Sequence, residues 1–213
     1  MLLSSAYCPP VEYFALMARD MTLSEDRVFP SKVHIEAKES FLKQTYRTRC
    51  MILGPRGTEM LQVPVVHSDN MRMDLVEVDH STPWVTRTER ALDTAYFSSA
   101  YFDYYRDGLF ALLESGEKSL LKYNTAITLY LAECAGIWTR LSFTEDFTAP
   151  GTEEDDWRYL IAPKKNNGIL AGMGLQKPYF QVFSKKFGFT PGLSMMDLLF
   201  NEGPESIKFV FSE

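Results

Sequence analysis

Three cations crowd one short stretch, KQTYRTRCMILG from Lys43 to Gly54, just ahead of the apolar run Cys50-Met51-Ile52-Leu53. If Tyr46 to Leu53 is a strand, Arg47 and Arg49 share a face at roughly 7 Å. Two guanidiniums so placed can grip a pyrophosphate or carboxylate in bidentate fashion, with Lys43 as a third charge near the strand's start. The same spacing fits a half-buried strand whose arginines pair with Glu59 or other acids across a hairpin. Exposed charge pairs of that kind are common and cheap, and residue types alone favour this second reading.

A second pair, His34 and Glu36 of KVHIEA, alternates onto one strand face, with Glu39 just beyond. A histidine beside a carboxylate can do general acid–base work, and a solvent-facing strand edge explains the pattern equally well. His67 and His80 are too scattered for a metal motif. Cys8, Cys50 and Cys134 show no C-x-x-C spacing, which favours free thiols in a reducing compartment, and Cys8 has no base adjacent in sequence. The glycine-rich NNGILAGMG lacks the G-K-[ST] of a P-loop and reads as an ordinary mobile loop. No metal or cofactor is called for.

The chemistry must be carried by a chain of 213 residues, enough for a sizeable core, and one domain over residues 1–213 is expected. A net charge of −6 argues against broad nucleic-acid binding, which depends on neutralising phosphates. The N-terminus MLLSSAYCPP has no basic region followed by a long apolar one, and no apolar run reaches membrane-spanning length. A cytoplasmic protein without membrane insertion is expected.

Periodicity supplies the elements. LLSSAY reads as a strand, Pro10 suits the first turn of a helix with Val11, Phe14, Ala15 and Ala18 on one face, and KVHIEA reads as the next strand. TYRTRCMIL and EMLQVPVV, joined by Gly54-Pro55-Arg56-Gly57, form a hairpin whose second arm ends near Pro64. DLVEVDH adds a further strand. Three helices fill the centre, the first capped by Thr82 with Pro83 behind it and the third ending at Gly136. IWTRLSF and PYFQVF are expected strands, around an acidic loop. The aromatic segment AYFSSAYFDYYRDGLF reads first as core and second as an interface between copies of a homo-oligomer. In GLSMMDLLFNEGP, Ser194 and Asp197 make an S-x-x-D capping box, Leu193 and Leu198 sit at staple positions, and Asn201 is the polar residue left over. The fold class is α/β: a mixed sheet with strand–helix–strand units, an antiparallel hairpin and a central helical segment.

Four segments in order, AYCPPVEYF, KQTYRTRC with LQVPV after it, TPWVTRTERALDTAYFSSAYFDYY and LSMMDLLFNEGP, resemble the WbqC-like protein family. The last is close to that family's L-S-x-x-D-L-L-F-N-x-G signature. The resemblance implies a role among bacterial proteins of surface-polysaccharide and O-antigen synthesis, such as transferring an acyl or aminoacyl group to a sugar. Tyr7 and Pro9 match the family's Y-x-P, and the His-Gln ahead of it is replaced by Leu3 and Ser4. The R-N-R of the family stands here as Arg47-Thr48-Arg49, and Asp197 and Asn201 match the C-terminal signature. On this reading Tyr7, Lys43, Arg47, Arg49 and Asn201 bind an anionic or nucleotide-linked sugar, and Glu36 or His34 is the base. The alternative is a non-catalytic binding or assembly protein of the same pathway.

Overall fold

The computed structural model describes residues 1–24, 27–66, 71–163 and 167–211, so His67 lies outside it. Strand β1 (Leu2–Ser4) leads through Pro10, which sits at the N-cap, one residue ahead of the first turn, into helix α1 (Val11–Arg19). Val11 and every residue from Tyr13 to Ala18 are buried. A helix apolar almost all round is a core helix, and α1 is buried more completely than the single face its sequence suggests. A small antiparallel pair, β2 (Thr22–Ser24) and β3 (Arg27–Phe29), follows. Strand β4 (Ser31–Glu36) then returns parallel to β1, with Leu3 opposite Ile35. This completes the expected strand–helix–strand unit.

The hairpin is also present. Strands β5 (Arg49–Gly54) and β6 (Gly57–Gln62) pair antiparallel around Pro55-Arg56, with Gly54 opposite Gly57. Strand β5 begins at Arg49, not at Tyr46, which corrects the expected span. Residues 43–48 are a run of turns in which Gln44 has φ 62°, so Arg47 and Arg49 do not alternate along one strand. Strands β7 (Val65–Val66) and β8 (Glu77–Val78) form a short antiparallel pair beyond Pro64. Most of DLVEVDH is thus not strand, because Met73–Leu75 winds into a 3₁₀ turn.

The central helices are α2 (Trp84–Tyr96), α3 (Phe102–Leu113) and α4 (Leu120–Cys134). Pro83, not Thr82, occupies the N-cap of α2. Helix α4 ends as its glycine predicts. Gly136 has φ 75°, its N–H donates to the Glu133 carbonyl, and the Ile137 N–H donates to Ala132. Strand β9 (Thr139–Phe143) adds to β4 in parallel, giving the order β1-β4-β9. Parallel and antiparallel pairings both occur, as the mixed α/β class requires.

Short helices α5 (Ile169–Gly172) and α6 (Ser184–Phe187) precede α7 (Met195–Glu202) and α8 (Ile207–Val210). The expected strand PYFQVF is irregular backbone instead. One cluster of buried side chains links Leu3, Val33 and Ile35 of the parallel sheet with Phe14 of α1, Ile127 of α4 and Leu199 of α7. Among the described residues no helix is long and apolar enough to cross a membrane.

Candidate functional site

The residues singled out in the sequence do not converge on one pocket. Tyr7 is fully buried in the core, its ring stacked on Tyr123 at 6.3 Å between centroids. Arg47 is also buried: Nη2 lies 2.6 Å from Glu39 Oε2, and Nε donates to Glu39 Oε1 at 3.1 Å. The acid that pairs with it is therefore Glu39, on its own side of the hairpin, and not Glu59. Lys43 is exposed on the preceding turn. Asn201 is buried, donating to the Asp197 carbonyl at 2.7 Å and accepting from Ser99 Oγ at 3.2 Å.

The two candidate bases also part company. His34 faces outward, with Nδ1 2.9 Å from Ser142 Oγ across the β4–β9 pair. Glu36, the last residue of β4, is sealed under the 144–158 loop. Its carboxylate accepts from Thr144 Oγ1 (2.7 Å), the Thr148 N–H (3.0 Å), the Lys38 N–H (2.9 Å) and Arg158 Nη1 (3.2 Å). Burial pushes this carboxyl up, but the hydrogen bonds outweigh it and hold it below the usual glutamate range. A carboxylate with four donors around it has little capacity left to take a substrate proton. Cys8 and Cys50 are buried free thiols, and burial, with Cys8 alongside, pushes the Cys50 thiol well up.

The open space lies elsewhere. A cleft of about 1300 Å³ runs between the outer face of the hairpin, the start of α1, and the segments 167–179 and 189–193. Alternation along the hairpin builds its floor. Cys50, Ile52 and Leu61 point into the core, while Arg49 and Met51 of β5 and Thr58 and Met60 of β6 line the cleft. Two of the charged residues that line it each keep a polar atom without a partner. Among the described residues, neither Arg49 Nε nor Glu12 Oε2 has a hydrogen-bond partner, although both atoms are buried. Burial pushes the Glu12 carboxyl up. Sequence periodicity passed over Glu12, yet it carried a signal: it is the one charged residue between Val11 and Ala18 in a helix otherwise made of apolar and aromatic residues.

One wall of the cleft is held by a buried carboxylate. Asp197 accepts from Tyr96 Oη (2.9 Å), Tyr179 Oη (2.8 Å) and Gln181 Nε2 (3.0 Å). The capping-box reading of this residue is thereby corrected. Ser194 does cap α7, its Oγ accepting from the Met196 N–H at 3.3 Å, but the Asp197 side chain turns inward. Burial pushes its carboxyl up to about 6, against the three hydrogen bonds. Tyr179 and Thr190, both cleft-lining, are tied to Asp197 directly and through Gln181.

A second, smaller cavity of about 200 Å³ opens at the carboxyl end of β1, lined by Leu3, Ser4, Arg47 and Arg158 among others. Tyr46 borders both cavities, and burial pushes its phenol up to about 12. Leu3 and Ser4, where the resembling family carries His-Gln, both lie on the smaller one.

A parallel three-stranded sheet, a separate antiparallel hairpin and the helices between them define a mixed α/β protein with one large cleft. The profile of the WbqC-like protein family matches residues 4–174, and the chain belongs to that family. The matched span stops before the LSMMDLLFNEGP segment. The chain is similar to "Uncharacterized protein Rv1507c" of Mycobacterium tuberculosis, 25% identical over 96% of this chain and 94% of that one. No solved structure matches.

Proposed function

We propose that this protein binds an anionic or nucleotide-linked sugar in the large cleft and transfers an acyl or aminoacyl group in cytoplasmic surface-polysaccharide synthesis. The observation that carries the binding site is the pair of buried, unpartnered charged atoms, Arg49 Nε and Glu12 Oε2, on the walls of one cleft. An unsatisfied buried polar group is costly, and a ligand that satisfies both recovers that cost on binding. The pathway is taken from what the resemblance to the WbqC-like family implies. Arg49 contacts the anionic part of the ligand. Glu12 takes the role of base that the sequence assigned to Glu36 or His34, since its carboxyl is raised by burial and has an oxygen to spare.

In the transfer, Glu12 accepts the proton of the attacking sugar hydroxyl or amine as that atom bonds to the acyl carbon. The bond from the acyl carbon to its leaving group breaks, the electron pair departs with the leaving group, and the proton held by Glu12 passes to it. A non-catalytic assembly role is the second reading, favoured by the exposure of Phe97 (78%) and Tyr104 (80%) in the aromatic segment, where copies of the chain could meet.

Thermal-shift titrations with nucleotide-sugars, free nucleotides and sugar phosphates, followed by turnover assays of the stabilising ligand with acyl and aminoacyl donors, test the proposal. The wild type is expected to be stabilised in a concentration-dependent way by at least one of these anions, Arg49→Ala to lose that response, and Glu12→Gln to keep it while losing turnover. A response that persists in Arg49→Ala removes the anion site. Binding without turnover in the wild type, whatever the donor, favours the assembly role.

A further inference from the structure

The small cavity differs from the cleft in one respect that decides what it can hold: its charged side chains are already paired with acids. All three guanidinium nitrogens of Arg47 are hydrogen-bonded, to Glu39, Thr45 and Ser4. All three of Arg158 are bonded too, to Asp156 and Glu36. Ser4 Oγ donates to Glu39, Ser5 Oγ accepts from Asn124, Tyr13 Oη donates to the Ser4 carbonyl, and Trp157 Nε1 donates to Asp155. The cluster is also net negative, since two guanidiniums are set against the three carboxylates of Glu36, Glu39 and Asp156. An anion entering here meets guanidiniums whose charge is already more than offset by neighbouring carboxylates. The remaining lining is apolar or aromatic, including Leu3, Ala6, Leu42, Ile161 and Ala162.

We infer that this cavity is a binding site for a compact, uncharged apolar group, an aromatic ring or a short branched acyl chain. The inference extends the proposed function: the group is carried by the ligand of the large cleft and seats beyond Tyr46, which borders both spaces. The size agrees. A volume of about 200 Å³ is slightly above the ~150 Å³ apolar cavity that takes up benzene in an engineered protein. The position agrees too, because Leu3 to Ala6 leave the carboxyl end of a parallel strand, where α/β sheets commonly bind ligands.

Saturation-transfer NMR titrations with benzamide, isobutyramide and benzoate test this on the wild type, Ala162→Trp and Arg49→Ala. The first two probes separate ring from branched chain, and the third carries the ring with a negative charge. At least one amide is expected to bind the wild type saturably, and benzoate at least tenfold more weakly than benzamide. Ala162→Trp should abolish amide binding by filling the cavity, and Arg49→Ala should leave it unchanged. If Ala162→Trp does not fold, Leu42→Trp replaces it, since Leu42 is 45% exposed and tolerates bulk at the rim. Benzoate binding as tightly as benzamide would restore Arg47 as an anion contact and overturn the inference. Amide binding that survives the tryptophan, or no amide binding at all, overturns it as well. Because these probes need neither Arg49 nor a sugar, failure here is distinct from failure of the cleft as the anion site.

Discussion

Arg47 and Arg49 are two residues apart in sequence and carry opposite energetic signatures. Arg47 neutralises Glu39 inside the protein, and burial pushes the Glu39 carboxyl up against that pairing. Removing one partner of a buried ion pair leaves the other uncompensated, at about 3–5 kcal/mol. Arg47→Ala is therefore expected to lower the melting temperature by on the order of 10 °C for a chain of this size. Arg49 Nε has no partner to abandon, so Arg49→Ala should leave stability within about 0.5 kcal/mol of wild type while removing ligand response. Differential scanning fluorimetry of the two variants without ligand checks this directly. Equal destabilisation would mean that Arg49 is also structural. The R-x-R spacing identified a real pair of cations, but it could not show that a turn at Gln44 sends one into the core and the other to the cleft.

At the scale of elements, most of what was legible follows from periodicity and punctuation. The β5–β6 hairpin, the parallel β1–β4 pair and the Gly136 stop of α4 all rest on local rules that tertiary contacts reinforce. PYFQVF failed for a reason that lies outside its own residues. Gln181 clamps the backbone of Thr190, Nε2 donating to its carbonyl at 2.9 Å and Oε1 accepting from its N–H at 2.8 Å. A side-chain amide thus replaces the strand ladder that alternation predicts. The same clamp holds the 189–193 wall of the cleft. Gln181→Ala should cost about 1–3 kcal/mol, since Thr190 loses both bonds. It should also speed amide hydrogen exchange at Thr190 and weaken ligand binding. Unchanged exchange at that amide would show that the wall is held by packing alone.

Across the molecule, the described acids with altered affinity for protons fall into two groups. Asp155 is held at about 2 by Arg19, and Glu36, Asp74, Asp79 and Asp156 are also held down by their partners. Glu12, Glu39, Glu89 and Asp197 are pushed up chiefly by burial. A carboxyl raised in the folded state binds its proton more tightly there than when unfolded. Its contribution is thus fully present below the unfolded value and is lost as pH rises through the folded one. For Asp197, with an ordinary value of 3.8 and a folded value of about 6, that loss amounts to about 3 kcal/mol between pH 4 and 7. The held-down acids act in the opposite sense below pH 4, so a melting curve of the wild type alone cannot isolate it. The difference in urea-unfolding free energy between wild type and Asp197→Asn can, because the other acids cancel. It should fall steadily from pH 4 to about 6.5 and then level off. A flat difference would mean that the three donors from Tyr96, Tyr179 and Gln181 fully offset the cost of burying the charge. Asp197 would then hold the cleft wall equally well at every pH.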